Sequence, residues 1–147
     1  MRWRHPVLAC LILALTLTLT LIPAASEEAG VSVRNAWVRE TPAGMTMMAG
    51  YMELRNNTSR RQVLVAASSS GFATVTIHRT LVTDGMAGMV HAPRIEVTPN
   101  ASFIFAPGGY HLMLMNPKRT LRAGDRVDVN LEFRGGLVLP VAFEVRK

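Results

Sequence analysis

Cysteine is almost absent from this chain of 147 residues. The single cysteine, Cys10, lies in an apolar segment near the amino terminus, and no other cysteine follows it. The chain therefore cannot form an internal disulfide, and beyond Cys10 no thiolate is available to bind a metal or attack a substrate. A blue-copper electron carrier needs a cysteine thiolate with two histidines, so this class of protein is excluded.

Long apolar runs are also missing, except at the amino terminus. Two arginines there precede an apolar run over residues 7–22, and small residues then lead to Ser26. This is the layout of a secretory signal, and the run is somewhat short against the roughly 20 residues that a membrane helix needs. We expect residues 1–26 to be a signal peptide, cleaved or kept as an anchor, and residues 27–147 to form one soluble exported domain.

Aromatic residues are few, at 6% of the chain, and the basic residues are mostly scattered. Sixteen lysines and arginines stand against ten acidic residues; without Arg2 and Arg4, which lie in the signal, fourteen remain and the net charge is about +4. No nucleic-acid motif accompanies this charge, so we interpret it as solubility with a preference for acidic partners. We expect a monomer that does not bind nucleic acid.

Helical periodicity is lacking as well, and short β-rich segments separated by turn residues dominate beyond residue 30. Val127, Val129 and Leu131, for example, alternate with polar residues as in a strand that is buried on one face. Nine segments are predicted to be strands: residues 31–39, 48–55, 61–67, 73–80, 94–97, 102–106, 110–116, 126–134 and 137–145. This pattern is typical of an all-β Greek-key sandwich or barrel with one domain.

The segment over residues 108–115 carries the most informative chemical pattern. Because side chains alternate along a strand, His111, Met113 and Met115 share one face, while Leu112 and Leu114 take the other. His111 and Met113 are then about 7 Å apart along the strand and face the same way. An imidazole and a thioether in this arrangement could bind one soft metal ion.

Two further residues could join this pair. His78 falls on the polar face of its predicted strand, and Met89 follows an Asp84-Gly85 turn that can fold the chain back as a hairpin. If the strands are neighbours, His78, Met89, His111 and Met113 supply two imidazoles and two thioethers. Thioethers select Cu(I) over harder ions. On a solvent-side face, these ligands would remain accessible to a partner's ligands.

Structural roles are the alternative for all of these residues, since methionine often fills gaps in cores. The chain would then be a metal-free exported β-sandwich that binds another protein. His91 could be an auxiliary ligand or an exposed loop histidine, and Met86 and Met115 could bind the ion or shield it from water. The cluster of Met45, Met47 and Met48 is expected to pack against the end of the sandwich, with a soft rim around the metal as the other possibility. Trp37 is expected in the core.

The spacing of these residues closely resembles the motif of the periplasmic copper chaperones called PCu(A)C. In that motif a histidine is followed by ten residues, a methionine, twenty-one residues and then His-any-Met. His78, Met89, His111 and Met113 have this spacing. The sequence around Ala36-Trp37-Val38-Arg39 is also similar to the family, and the resemblance spans nearly the whole chain beyond the signal.

The resemblance implies a single cupredoxin-like domain in which His78, Met89, His111 and Met113 bind Cu(I). It also implies copper delivery to the binuclear copper site of cytochrome c oxidase, alongside a Sco-type copper protein. No nucleophile elbow, paired-carboxylate pattern or phosphate loop is present, so we do not expect an enzyme. Arg79 departs from the family pattern, and its charge next to His78 is expected to lower copper affinity.

Overall fold

The computed structural model describes residues 30–147, so the predicted signal lies outside the described residues. Within residues 30–147 the secondary structure is entirely β, and no helix has the length and apolar character needed to cross a membrane. The ten strands are β1 (Val31–Arg39), β2 (Met47–Asn56), β3 (Gln62–Ser68), β4 (Phe72–Thr83), β5 (Met86–His91), β6 (Ile95–Val97), β7 (Ser102–Phe105), β8 (Tyr110–Pro117), β9 (Arg126–Phe133) and β10 (Val138–Arg146).

Nine of these strands match the predicted strands to within three residues, and β5 is the exception. All six residues of β5 are exposed, so its sequence lacks the alternation of apolar and polar residues that marks a half-buried strand. Asp84 and Gly85, with φ of 51° and 77°, form the two-residue turn between β4 and β5. Two successive positive φ angles are what a tight hairpin turn requires, and glycine adopts them at little cost.

The sheet closes on itself. Seven strands follow one another in the order β4-β8-β2-β1-β10-β9-β3, and β3 then pairs with β4. The three other strands extend this ring, because β5 pairs with β4, β6 with β3 and β7 with β2. The pairing of β1 with β10 is parallel, whereas the other strand pairs are antiparallel. The predicted fold class, a single cupredoxin-like β-sandwich domain, is confirmed.

Alternation along the strands places one side-chain set in a common core. Leu112 and Leu114 of β8 are fully buried, as are Val129 and Leu131 of β9. Trp37 lies outside this core, so its predicted position was wrong. It is half-buried on the outer face of β1, because the buried residue at the end of that strand is its neighbour Val38.

Asn56 is a fully buried polar residue at the end of β2. Its amide nitrogen donates to the carbonyl oxygens of Arg60, Val97 and Thr98, at 2.7, 3.1 and 3.1 Å. Its amide oxygen accepts from the backbone N–H and the hydroxyl of Thr58, at 3.0 and 2.8 Å. One side chain thus holds together the loop after β2 and the segment after β6.

Replacing Asn56 with alanine should lower the free energy of unfolding by about 1–3 kcal/mol, because buried carbonyl groups lose their donor. Chemical denaturation of the two proteins measures the difference. The matched control is Asn130→Ala on the exposed face of β9, which should stay within about 0.5 kcal/mol of wild type. Equal effects at the two positions would show that the amide network does not stabilise the fold.

Candidate metal centre

Three of the predicted ligands, His78, His111 and Met113, lie on the outer face of β4 and β8, which continues onto β2, and the fourth, Met89, lies in β5. Strand register arranges this face in three rungs that run across the strands. Thr74 and Met47 flank Met115 in the first rung, and Thr76 and Ala49 flank Met113 in the second. In the third rung, His78 pairs with His111. Strand register confirms the sequence prediction that His111, Met113 and Met115 share a face, because their partners His78, Thr76 and Thr74 alternate along β4 in the same way.

The third rung brings three histidine rings into one row. The ring centroids of His78 and His111 are 6.0 Å apart, and those of His78 and His91 are 5.8 Å apart. His111 is only 3% exposed, because it lies between the ring of His78 and the ring of Tyr51, whose centroid is 6.5 Å away. The expectation of a solvent-side face therefore holds for Met89, which is 60% exposed, and is wrong for His111.

Unpaired polar atoms collect at this point of the fold. Nδ1 of His111 donates to the carbonyl oxygen of Gly109 at 3.2 Å, which leaves Nε2 of the neutral ring with a free lone pair. That Nε2 atom is buried and has no hydrogen-bond partner, and the same is true of Nδ1 of His78 and Oγ1 of Thr76. An unpaired buried polar group is costly, so such atoms indicate a position where a ligand completes the site.

The electrostatics also favour a neutral imidazole at His78. Burial lowers the pKa of His78 below its ordinary value, and repulsion from positive charge on His111 and His91 lowers this pKa further. At neutral pH the ring of His78 is therefore unprotonated. Only an unprotonated ring nitrogen can bind a metal ion, so His78 needs no deprotonation step before binding.

The two methionines of the predicted ligand set occupy different surroundings. Met113 is half-buried and lies next to His111 on the same face of β8. Met89 pairs with Thr80 in the β4–β5 hairpin, and it is 60% exposed. It is the diagonal cross-strand neighbour of His78, a separation of about 7–8 Å that a long flexible side chain can cover. The fold thus brings His78, His111 and Met113 together and leaves Met89 at the rim.

The possible auxiliary residues lie in two different strands: His91 and Met86 are in β5, and Met115 is in β8. His91 lies in strand β5 directly opposite His78, so its interpretation as a loop residue was wrong. Met86 is next to the turn and 74% exposed, and because it is three residues before Met89 it lies on the opposite face of β5. Met115 is half-buried two residues beyond Met113. Met48 packs in the core as expected, but Met45 and Met47 are 51% and 44% exposed, so packing was the wrong prediction for these two residues.

Arg79 does not approach the histidines. It alternates with His78 along β4 and therefore points to the opposite side of the strand, where its guanidinium carbon lies 5.3 Å from the centroid of the Tyr110 ring. A cation over an aromatic face is a favourable arrangement. Hence the expectation that Arg79 places its charge beside the metal position was wrong.

Sequence reasoning missed the aromatic side of the centre. The rings of Trp37 and Tyr51 have centroids 4.7 Å apart, and the guanidinium carbon of Arg39 lies 5.8 and 5.9 Å from these two centroids. Tyr51 is 7% exposed and lies between His111 on one side and Trp37 and Arg39 on the other. Alternation in β2 could have placed Tyr51 on the face of Met47, but only the pairing of β2 with β8 brings it to His111.

Within residues 30–147, no three side chains drawn from histidine, cysteine, aspartate and glutamate are arranged to hold a metal ion. Carboxylates are absent from the three rungs described above, and the remaining candidate donors there are thioethers, imidazoles and threonine hydroxyls. This donor set suits a soft cation.

The chain has the fold of a known domain family. The family model described as LpqE-like matches residues 31–145, and the chain belongs to this family, which is the family of PCuAC domains. The predicted family is thereby confirmed. A relative from Leifsonia xyli subsp. xyli, named "Putative lipoprotein Lxx21020", is 32% identical over 97% of this chain and 89% of its own length.

Solved structures of the same fold support this assignment. The chain is 31% identical to CuI-DR1885 from Deinococcus radiodurans, with a TM-score of 0.66 over 84% of this chain and 83% of that one. The copper-bound PCuAC domain from PmoF2 has the same TM-score of 0.66 at 22% identity, covering 79% of this chain and 92% of that domain. At this lower identity, the likeness to PmoF2 concerns the fold alone.

Proposed function

We propose that this protein is a Cu(I) carrier whose cargo is bound by His78, Met89, His111 and Met113. The observation that carries the proposal is the pair of buried, unpartnered ring nitrogens, Nε2 of His111 and Nδ1 of His78, on the face that also presents Met113. Two relatives whose structures are described as copper-bound share the fold, and one of them is described as holding Cu(I).

The chemistry of these donors suits transport rather than permanent binding. The two thioethers carry no proton, the lowered pKa of His78 keeps its ring unprotonated at neutral pH, and thioethers favour Cu(I). Met89 is 60% exposed on a hairpin at the end of the sheet, so an incoming ligand can replace it before His111 is disturbed. Stepwise replacement would let the ion pass to an acceptor without entering water.

Anaerobic titration against a competing Cu(I) chelator tests the proposal. The wild-type protein should bind one Cu(I) tightly, and a variant with alanine at all four ligand positions should lose this binding. Copper should also protect the fold: at a free Cu(I) concentration 100 times the Kd, mass action stabilises the native state by about 2.7 kcal/mol. Unchanged affinity in the fourfold variant would refute the ligand assignment.

The second candidate is a metal-free module that binds another exported protein. The apolar side chains exposed on the β4–β5 hairpin favour it, since Val82 and Met86 are 70% and 74% exposed. This candidate requires that the wild-type protein bind no stoichiometric copper and that its melting temperature be indifferent to Cu(I). The titration above therefore separates the two functions.

For the cellular role we propose export to the periplasm and delivery of copper to the binuclear site of cytochrome c oxidase, together with a Sco-type protein. The family membership and the name of the Leifsonia relative support an exported protein. We also propose that the protein carries its cargo without catalytic turnover. Copper content of the oxidase in cells with and without this chain tests delivery, and a normally loaded oxidase in its absence would refute it.

A further inference from the structure

We propose a second Cu(I) position on the same face, formed by the thioethers of Met47, Met113 and Met115. This inference rests on the proposed function, because it describes how the same cargo enters or leaves the site. The position lies one rung beyond Met113, on the side away from the histidines. It would hold the ion through sulfur alone.

Strand register brings the three methionines together. Met47 of β2 is directly opposite Met115 of β8, and Met113 is two residues from Met115 on the same face. Directly opposed residues have Cβ atoms about 4.5–5.5 Å apart, and residues two apart along a strand are separated by about 7 Å. Methionine has three rotatable bonds beyond Cα, so its sulfur can turn toward a common point from any of these positions.

The surroundings leave room for such a point. The other residues paired with this group are small: Thr74 lies opposite Met115, while Thr76 and Ala49 lie opposite Met113. Met47 is 44% exposed, and Met113 and Met115 are half-buried. Met47 does not serve core packing, because its neighbour Met48 is 4% exposed and already fills the core position at this point of β2.

Met113 is a ligand in both copper positions, so the two positions cannot be filled independently. If its sulfur bonds to one ion at a time, the two positions are alternatives and the protein still carries a single Cu(I). An ion can move from one position to the other by exchanging His78, His111 and Met89 for Met47 and Met115 while it stays bound to Met113. The methionine position is thus an outer station for copper on its way to or from the histidines.

A His78→Ala/His111→Ala variant isolates the outer station. It should still bind one Cu(I), more weakly than wild type, and X-ray absorption should show only sulfur around the ion. In this background, Met47→Leu/Met115→Leu should weaken the remaining binding by at least roughly tenfold, the scale seen when even an outer-shell partner of a metal is lost. Leucine has a similar volume, so packing is little changed.

Two controls in the same background make the test specific. Met48→Leu removes a neighbouring thioether from the opposite face of β2 and should leave copper binding unchanged. Met89→Leu should also leave it nearly unchanged, since Met89 lies on the far side of the histidine rung. Loss of binding with Met89→Leu and retention with Met47→Leu/Met115→Leu would overturn the proposal.

A second measurement keeps both histidines and does not depend on the folding of the histidine variant. With Met47→Leu/Met115→Leu alone, equilibrium affinity should change little, but transfer of Cu(I) to a chelator should slow several-fold in stopped-flow measurements. An unchanged transfer rate would overturn the outer station. A wild-type protein that binds Cu(I) while the histidine variant binds none would also overturn it and leave the proposed function intact. A wild-type protein that binds no Cu(I) would refute the proposed function itself.

Discussion

Replacing His111 with alanine is expected to weaken Cu(I) binding by roughly a hundredfold or more, since loss of even an outer-shell partner of a metal typically costs 10–100-fold. The hundredfold change corresponds to about 2.7 kcal/mol of binding free energy. His111 has this weight because its ring is nearly buried and oriented by the carbonyl of Gly109, so its free nitrogen is held in place before copper arrives. Competition with a Cu(I) chelator under anaerobic conditions measures the change.

His91→Ala is the matched control for this substitution. The centroid of the His91 ring also lies close to that of His78, at 5.8 Å, but every residue of strand β5 is exposed. We expect its replacement to change the affinity far less than that of His111. A loss of affinity at His91 as large as that at His111 would show that the hairpin contributes a histidine to the ligand set. The ligand role proposed for Met89 would then be in doubt.

Leu112→Ala and Met113→Leu change adjacent residues of one strand, but the first should mainly lower the stability of the fold and the second should mainly weaken copper binding. Leu112 is fully buried, so truncation to alanine should lower the free energy of unfolding by about 2–5 kcal/mol through lost burial and a cavity. Met113 lies on the outer face, and its replacement by leucine should cost less than about 1.5 kcal/mol. Denaturation curves measured without copper give both values.

Copper binding should separate the same two variants in the reverse order. Met113→Leu removes a thioether and should weaken Cu(I) binding, whereas Leu112→Ala leaves every proposed ligand in place and should bind copper at temperatures where it remains folded. If Met113→Leu bound copper as tightly as wild type, the ligand role of Met113 would be refuted. The pair therefore tests the side-chain alternation of β8 and the site together.

Much of the fold was predictable because most strands bury one face. In segments such as 126–134, apolar and polar residues alternate, and the period of two specifies both the strand and its inward side. β5 lacked this signal because none of its residues is buried. The prediction for Trp37 was wrong because a large apolar side chain indicates burial but does not specify which face of the strand buries it. The outer face of β1 offered it a second place beside Tyr51.

The candidate site was predictable to the extent that it depends on alternation within one strand. His78 and the pair His111–Met113 were placed on the correct faces from that rule alone. The position of His91 was also contained in the sequence, because a two-residue turn at Asp84-Gly85 fixes the hairpin register and sets His91 opposite His78. The proximity of Tyr51 and of Met47 was not predictable, since it depends on which strands are neighbours in the closed sheet.

The parallel pairing of β1 with β10 has a consequence for how the chain acquires its structure. The first and last strands of the described region are neighbours, and β10 joins β1 to β9 to complete the ring. As the chain is synthesised from its amino terminus, one edge of β1 has no partner strand until β10 has been made. Such distant contacts form slowly. The ring of strands therefore cannot close until β10 has been made.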